Sequence, residues 1–230
     1  KQTIMSDTTL RLILGDQLNI QHSWFQSVNT SATYVLMEVK SESLYTTHHI
    51  QKILGFFASM RAFAQELKEK GHSVKYISIL DSENLHSIEK NIQTLISRHG
   101  FSRFEYQQPD EYRLQELLAN LHLSIPKFKT DTEHFYTTPD ELSMFFKGKK
   151  QLLMESFYRY MRKKHDVLLN GVEPLHGQWN FDHDNRKKIP PQHRPPEPLL
   201  MDHDLSSLHT EIENAQLPSI GHVDAKHYTW

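Results

Sequence analysis

Cysteine is absent from all 230 residues. That absence excludes disulfides, thiolate-held zinc and any iron–sulfur cluster ligated by this stretch of chain. Long hydrophobic runs are missing too. The longest are a few residues, against the roughly 20 that a membrane-crossing helix needs, so no membrane partner is expected. Residues 1–9 (KQTIMSDTT) are polar and carry no secretory leader. They read as an added tag or a disordered start, with Met5 as the natural first residue, and the expected compartment is the cytoplasm.

Several fingerprints of catalysis and nucleotide binding are also lacking. No G-x-G-x-x-G follows an early strand, Lys147-Gly148-Lys149-Lys150 lacks the spaced glycines of a phosphate loop, and neither G-x-S-x-G nor H-E-x-x-H occurs. Sixteen histidines raise the question of a metal. Yet His48-His49 and the Asp-His-Asp runs at 182–184 and 202–204 do not set ligands on one face, so no metal site is assigned. No catalytic residue is assigned either.

Charge is nearly balanced, at −2 overall, but unevenly placed. Between Met144 and Arg194 eleven Lys/Arg face five Asp/Glu, an excess of six positive charges that leaves the remainder at −8. Lys147, Lys149, Lys150, Arg159, Arg162, Lys163 and Lys164 cluster there. Such a segment reads as a surface for an anionic partner, nucleic acid in particular, or as a solvated helix face.

What is present is organised around Leu10–Leu18, LRLILGDQL. A short apolar strand ends there in Gly15, Asp16 and Gln17, where glycine removes the Cβ that would keep a flat ligand away. On these residues alone it also reads as an ordinary strand and turn. Thr33–Val39 is a second strand. Thr46-Thr47 offer caps for a helix over His48–Lys70, in which Ile50, Ile53, Leu54, Phe57, Met60, Ala64 and Leu67 recur every three or four residues and Gly71 stops the run. Ser73–Leu80, Phe101–Tyr106 and Leu123–Phe128 read as further strands. Helices alternate with them, one carrying Leu85, Ile88, Ile92, Leu95 and Ile96 and ended by Gly100, the other over Glu111–Leu121. The alternation predicts an α/β class, a Rossmann-like parallel sheet covered by helices on both faces, over residues 10–135. A helical extension follows over 136–169, with helices opening at Thr138-Pro139 and spanning Gln151–Leu169. Residues 170–230, rich in proline and charge, read as a linker arm.

Parallel strands set their carboxyl ends about 5 Å apart. One crevice can therefore collect Gly15, Asp16, Gln17 and Leu18 from the first strand, and Glu38, Glu42 and Tyr45 from the second. His49, Lys52, Ile53 and Phe56 join them from the long helix. Carboxylates over an apolar floor suit a neutral heterocycle with N–H and hydroxyl groups better than a phosphate. Glu42 and Lys52 are equally readable as surface charges.

LILGDQL, then E-V-x-x-E-x-x-Y-x-x-H-H, then FFASMRAFA-x-EL, resembles the amino-terminal domain of the photolyase/cryptochrome superfamily. More narrowly, it is similar to the bacterial iron–sulfur branch of photolyase-related proteins, which includes prokaryotic (6-4) photolyases. Met154–Lys164, Leu169-Asn170-Gly171, Gly177–Asp182 and Asn185-Arg186 continue the likeness in order. The resemblance implies an antenna, 6,7-dimethyl-8-ribityllumazine, in this chain. It also implies an all-helical carboxyl-terminal domain, absent from these residues, that holds FAD, the iron–sulfur cluster and the DNA lesion. The chain would then be one part of a longer DNA-repair lyase, with its own FAD domain and damaged DNA as partners. A cryptochrome-like photoreceptor and a stand-alone α/β metabolite-binding module are the alternatives. Phe56 departs from the smaller residue that would leave room over a planar ring: it either stacks on the chromophore or fills its place.

Overall fold

The computed structural model describes residues 8–229. The expected tag falls mostly on residues 1–7, outside the described residues, and Thr9 already opens the first strand. In chain order the elements begin with β1 (Thr9–Leu12), β2 (Ala32–Met37), α1 (Lys40–Leu44), β3 (His48–His49) and α2 (Ile50–Glu69). Then come β4 (Ser73–Ile77), α3 (Ile88–His99), β5 (Arg103–Gln107), α4 (Tyr112–Asn120) and β6 (Lys127–Thr130). The remainder comprises α5 (Pro139–Phe146), α6 (Met154–Lys164), β7 (Leu169–Asn170), β8 (Glu173–Pro174), β9 (Asp202–His203), α7 (Ser206–Asn214), β10 (Ser219–Ile220) and β11 (Tyr228–Thr229). Two compact units result: residues up to Glu133 together with those from Leu200 onward, and His134–Leu199.

The first unit is a Rossmann-like α/β fold. Its five-stranded sheet runs β4-β2-β1-β5-β6 and every pairing is parallel. The chain starts at the centre, winds outward to β4, returns past β1 and winds out the other way. That reversal puts a topological switch point between the carboxyl ends of β1 and β5, where open α/β sheets receive ligands.

Side chains alternate across the sheet with period two. Tyr34 and Leu36 of β2 join the α2-side cluster with Leu54, Phe57 and Leu67, whereas Val35 and Met37 join Ile92, Leu114 and Leu118 on the α3/α4 side. Leu54, Leu67, Ile92 and Leu118 are fully buried, and each such side chain contributes roughly 1.5–3 kcal/mol. The cap of α2 is His49, whose Nδ1 accepts the Gln51 N–H at 3.1 Å, rather than Thr46 or Thr47. Gly71 and Gly100 close α2 and α3 in the left-handed region, at φ +89° and +67°, which glycine adopts without a Cβ penalty.

The expected arm over 170–230 is divided. Its first part belongs to the second unit, but residues from Leu200 return to the α/β unit. There Leu208 and Ile212 of α7 and the ring of Tyr228 enter the α2-side core. Tyr228 donates its hydroxyl to the Gln51 carbonyl at 3.0 Å. Gly55 permits that approach, since a Cβ there would collide with the Tyr228 hydroxyl. In the sequence, Leu208 and Ile212 stand alone as an apolar pair on a polar helix, too sparse a stripe to predict burial.

In the second unit, α5 starts as its Thr-Pro predicts: Thr138 Oγ1 accepts the Glu141 N–H at 3.2 Å with Pro139 in the first turn. The next helix is shorter than the expected Gln151–Leu169. It stops at Lys164 because Asp166 and Leu168 adopt positive φ and the chain folds back onto Arg162. Phe145, Phe146, Phe157 and Tyr160 pack edge-to-face or tilted, with centroids 4.9–6.0 Å apart.

Candidate functional site

At the carboxyl edge of the sheet a cavity of about 320 Å³ opens across the switch point. Its apolar wall draws on both faces of the sheet, because β1 runs out at that edge. Leu12, Leu14, Met37, Val39, Ile88 and Leu114 come from the α3/α4 side; Ile13, Ile53, Phe57 and Met60 come from the α2 side. Gly15 faces this wall. A Cβ on Gly15 would lie 3.0 Å from Met60 Sδ and 3.1 Å from Phe56 Cδ1. Close approach, not a positive φ, is thus what glycine supplies here.

A polar rim surrounds the apolar wall. Glu42 on α1 receives both arms of Arg113 from α4, Nη1 to Oε1 at 3.1 Å and Nη2 to Oε2 at 2.6 Å. Arg113 also donates to the two oxygens of Glu111, at 2.9 and 3.0 Å. Its guanidinium carbon lies 4.3 Å from the centre of the Tyr45 ring. The Glu42 hydrogen bonds, with those of Glu111, hold Arg113 charged more firmly than usual, against the cost of its burial. On the α2 side Lys52 Nζ lies 3.3 Å from His48 Nδ1 and 5.7 Å from the Phe56 ring centre. The His48 ring meets Tyr45 edge-on at 5.1 Å.

Seven of the predicted crevice residues line the cavity: Gly15, Asp16, Glu42, Tyr45, Lys52, Ile53 and Phe56. Four do not. Gln17 is buried below the turn, where its Oε1 accepts the Leu14 N–H and its Nε2 donates to the Gln107 carbonyl. Leu18 packs against the α2-side core. His49, exposed, caps α2 through its Nδ1 and pairs β3 with β10 through its backbone, outside the cavity lining.

Glu38 is the largest correction. Its side chain is fully buried and accepts from Arg61 Nε (2.7 Å) and Nη2 (3.0 Å), from the Tyr76 hydroxyl (2.6 Å) and from the Ile79 N–H (2.7 Å). Such a saturated carboxylate has no bond left for a ligand. Burial, reinforced by Glu38, pushes the Tyr76 hydroxyl far above its usual range. Period two offered the signal: residue 38 shares parity with Tyr34 and Leu36, whose face α2 covers. His48, Glu111 and Arg113 were missed. Only the strand order brings the start of α4 to this edge.

The basic set divides as well. Lys147, Lys149, Lys150, Arg159, Lys163 and Lys164 are exposed, whereas Arg162 is 6% exposed. Arg162 donates to the carbonyls of Val167, Leu168 and Trp179 and to the Tyr158 hydroxyl, so it holds the fold and is not free for an anion. Arg159 pairs with Glu155 at 2.8 Å and Lys164 with Glu141 at 2.6 Å. Lys147, Lys149, Lys150 and Lys163 have no carboxylate partner among the described residues.

The family model described as deoxyribodipyrimidine photo-lyase-related protein matches residues 11–228. A (6-4) photolyase of Agrobacterium fabrum (strain C58 / ATCC 33970) is 36% identical over 195 residues, 83% of this chain and 38% of that protein. The uncharacterized protein R852 of Acanthamoeba polyphaga mimivirus is 25% identical over 172 residues, 68% of this chain and 83% of that protein. The chain thus spans well under half of the bacterial relative and most of the viral one.

Proposed function

The chain belongs to the deoxyribodipyrimidine photo-lyase-related protein family, and from that premise we propose that its α/β unit binds a ribityl-lumazine antenna in the switch-point crevice. The observation that carries this reading is a cavity with apolar walls, a polar rim and a Cβ-free edge at Gly15. Its volume falls at the lower end of the roughly 300–1,000 Å³ typical of small-molecule sites. The residues present fit such a group. Ile53, Phe57 and Met60 would bear on a flat ring, and Phe56, 41% exposed, has room to move beside it. Glu42, oriented by Arg113, keeps lone pairs for a ring N–H; Ser43 and Lys52 would serve ribityl hydroxyls. When bound, the lumazine absorbs blue light and passes the excitation to a flavin.

In a longer protein that flavin, an iron–sulfur cluster and the DNA lesion would lie outside these residues, and the activity would be light-driven DNA repair. The exposed lysines at 147, 149, 150 and 163 would neutralise DNA phosphates. The Agrobacterium relative, a (6-4) photolyase, supports this reading. The span of the mimivirus protein, 83% of its length, favours a second one: an α/β module that binds a flat metabolite without photochemistry.

Titration of ribityl-lumazine into the full chain, followed by fluorescence, tests the first reading in wild type, Phe56→Ala and Glu42→Ala. Binding is expected in wild type, weakened by Glu42→Ala. A loss in Phe56→Ala of about 0.5–1.5 kcal/mol marks stacking, and a gain marks a side chain that fills the ring's place. No binding in any of the three, with circular dichroism unchanged, removes the antenna and leaves the metabolite module.

A further inference from the structure

Residues 40–47 form the wall of the crevice on the β2 side. They comprise the five-residue α1, which has no side-chain cap and ends in the half-exposed Leu44, and a following stretch that opens with the half-exposed Tyr45. A helix this short is not stable by itself and depends on tertiary contacts. The Ser41 N–H donates to the His86 carbonyl at 3.2 Å, and Arg113 adds the side-chain contacts from across the switch point. It grips both oxygens of Glu42 and covers the ring of Tyr45, while both oxygens of Glu111 hold the guanidinium from behind. Glu42, Tyr45 and Glu111 line the cavity, whereas Arg113 does not. Its influence on anything inside must therefore pass through the wall it holds.

We propose that Arg113 is a positioning residue that latches residues 40–47 across the mouth of the crevice and so sets how fast a bound flat ligand leaves. The proposal rests on the crevice being a ligand site, as read above. The chemistry suits a latch better than a fixed strut. Both partners keep about a third of their side-chain surface in water, 35% for Arg113 and 27% for Glu42, so salt screens the pair. The planar fork fits a carboxylate and an aromatic face at once, which a lysine ammonium does not.

Two measurements on the full chain test it, in wild type, Arg113→Gln and Arg113→Lys. Amide hydrogen exchange over 40–47 should quicken in Arg113→Gln while exchange in α2 stays as it was. In stopped flow, ribityl-lumazine chased from the preformed complex should leave about tenfold faster, the effect of losing a partly exposed forked pair and its ring contact. Added salt should speed release from wild type but not from Arg113→Gln, and Arg113→Lys should fall between the two. Unchanged exchange over 40–47 in Arg113→Gln overturns the latch, as does unchanged release. Failure of wild type to bind ribityl-lumazine overturns the chromophore reading instead, and the exchange comparison still decides the latch. If Arg113→Gln does not fold, Arg113→Lys carries the same two readouts.

Discussion

In the α/β unit charged groups serve an apolar core, whereas in the 134–199 unit a charged group stands at the core. Glu38 and Arg61 sit at the edge of the α2-side cluster, one of two that cover the sheet faces, and they join α2 to α7 through Glu211, which accepts from Arg61 at 2.6 and 3.0 Å. The smaller unit buries few large side chains. Its chain reversal hangs on Arg162, which gathers the carbonyls of Val167, Leu168 and Trp179 under a Trp179 ring 5.1 Å away. A region that cannot bury enough apolar surface can still be ordered by one well-satisfied cation. It is then more sensitive to that residue than a large core is to any one of its own.

The largest effect should come from the buried carboxylate. Glu38→Gln puts a neutral amide at a fully buried position facing Arg61, 30% exposed, and Tyr76, and should cost the α/β unit roughly 3 kcal/mol in urea unfolding. A cost below about 1 kcal/mol would show that Glu211 alone can hold Arg61.

Arg162→Met should come next, because it removes four hydrogen bonds made by one buried guanidinium, and a hydrogen bond to a charged group contributes about 1.5–3 kcal/mol. Amide exchange should rise across 154–180 and stay unchanged in β1 and β2. Charge reversal at Lys147, Lys149 and Lys163 should do the opposite: leave the fold intact but, if the proposed DNA role holds, lower DNA affinity and flatten its salt dependence. If reversal there changes neither affinity nor slope, the DNA reading of this surface fails.

The smallest effect is a matter of pH. Hydrogen bonds from Lys164, then from Tyr160 and Thr137, hold the Glu141 carboxyl down at about 2, below its ordinary 4.5. A lowered folded value means that the stabilisation is complete above pH 4.5 and is lost as pH falls toward 2. Carboxyl chemical shifts should report that titration, and Lys164→Ala should move it upward. An unmoved midpoint would discount the Lys164 contact.

How much of this was legible in the sequence depended on whether the signal was local. The three- and four-residue spacing from Ile50 to Leu67, the β-branched and aromatic run in Thr33–Val39 and the stop at Gly100 each depend on nearby residues, and the sheet and its helices followed from them. Gly15, Glu42 and Phe56 could be grouped because adjacent strand ends must be close. Glu38 and Glu42 looked alike, two acids beyond one strand. Four residues apart they share one parity, but Glu38 still follows the strand's alternation into the α2 face, whereas Glu42 lies on α1, where that alternation has ended, and turns to the crevice. Arg113 was out of reach, since its neighbours are set by a strand order that no local pattern encodes. Arg162 sat in a run of basic residues whose exposed members concealed the buried one.

The contact between Arg61 and Glu211 spans 150 residues, and that between Gln51 and Tyr228 spans 177. A ribosome adding about 5–20 residues per second needs on the order of ten seconds or more between the two halves of either contact. Through that interval the outer surface of α2 is already made but lacks the helix and tyrosine that will cover it. The 134–199 unit, inserted between the two pieces, is complete before its host can close. Synthesis therefore reverses the order that stability alone would suggest: the part with the smaller core can be finished first, and the larger core waits for Glu211 and Tyr228.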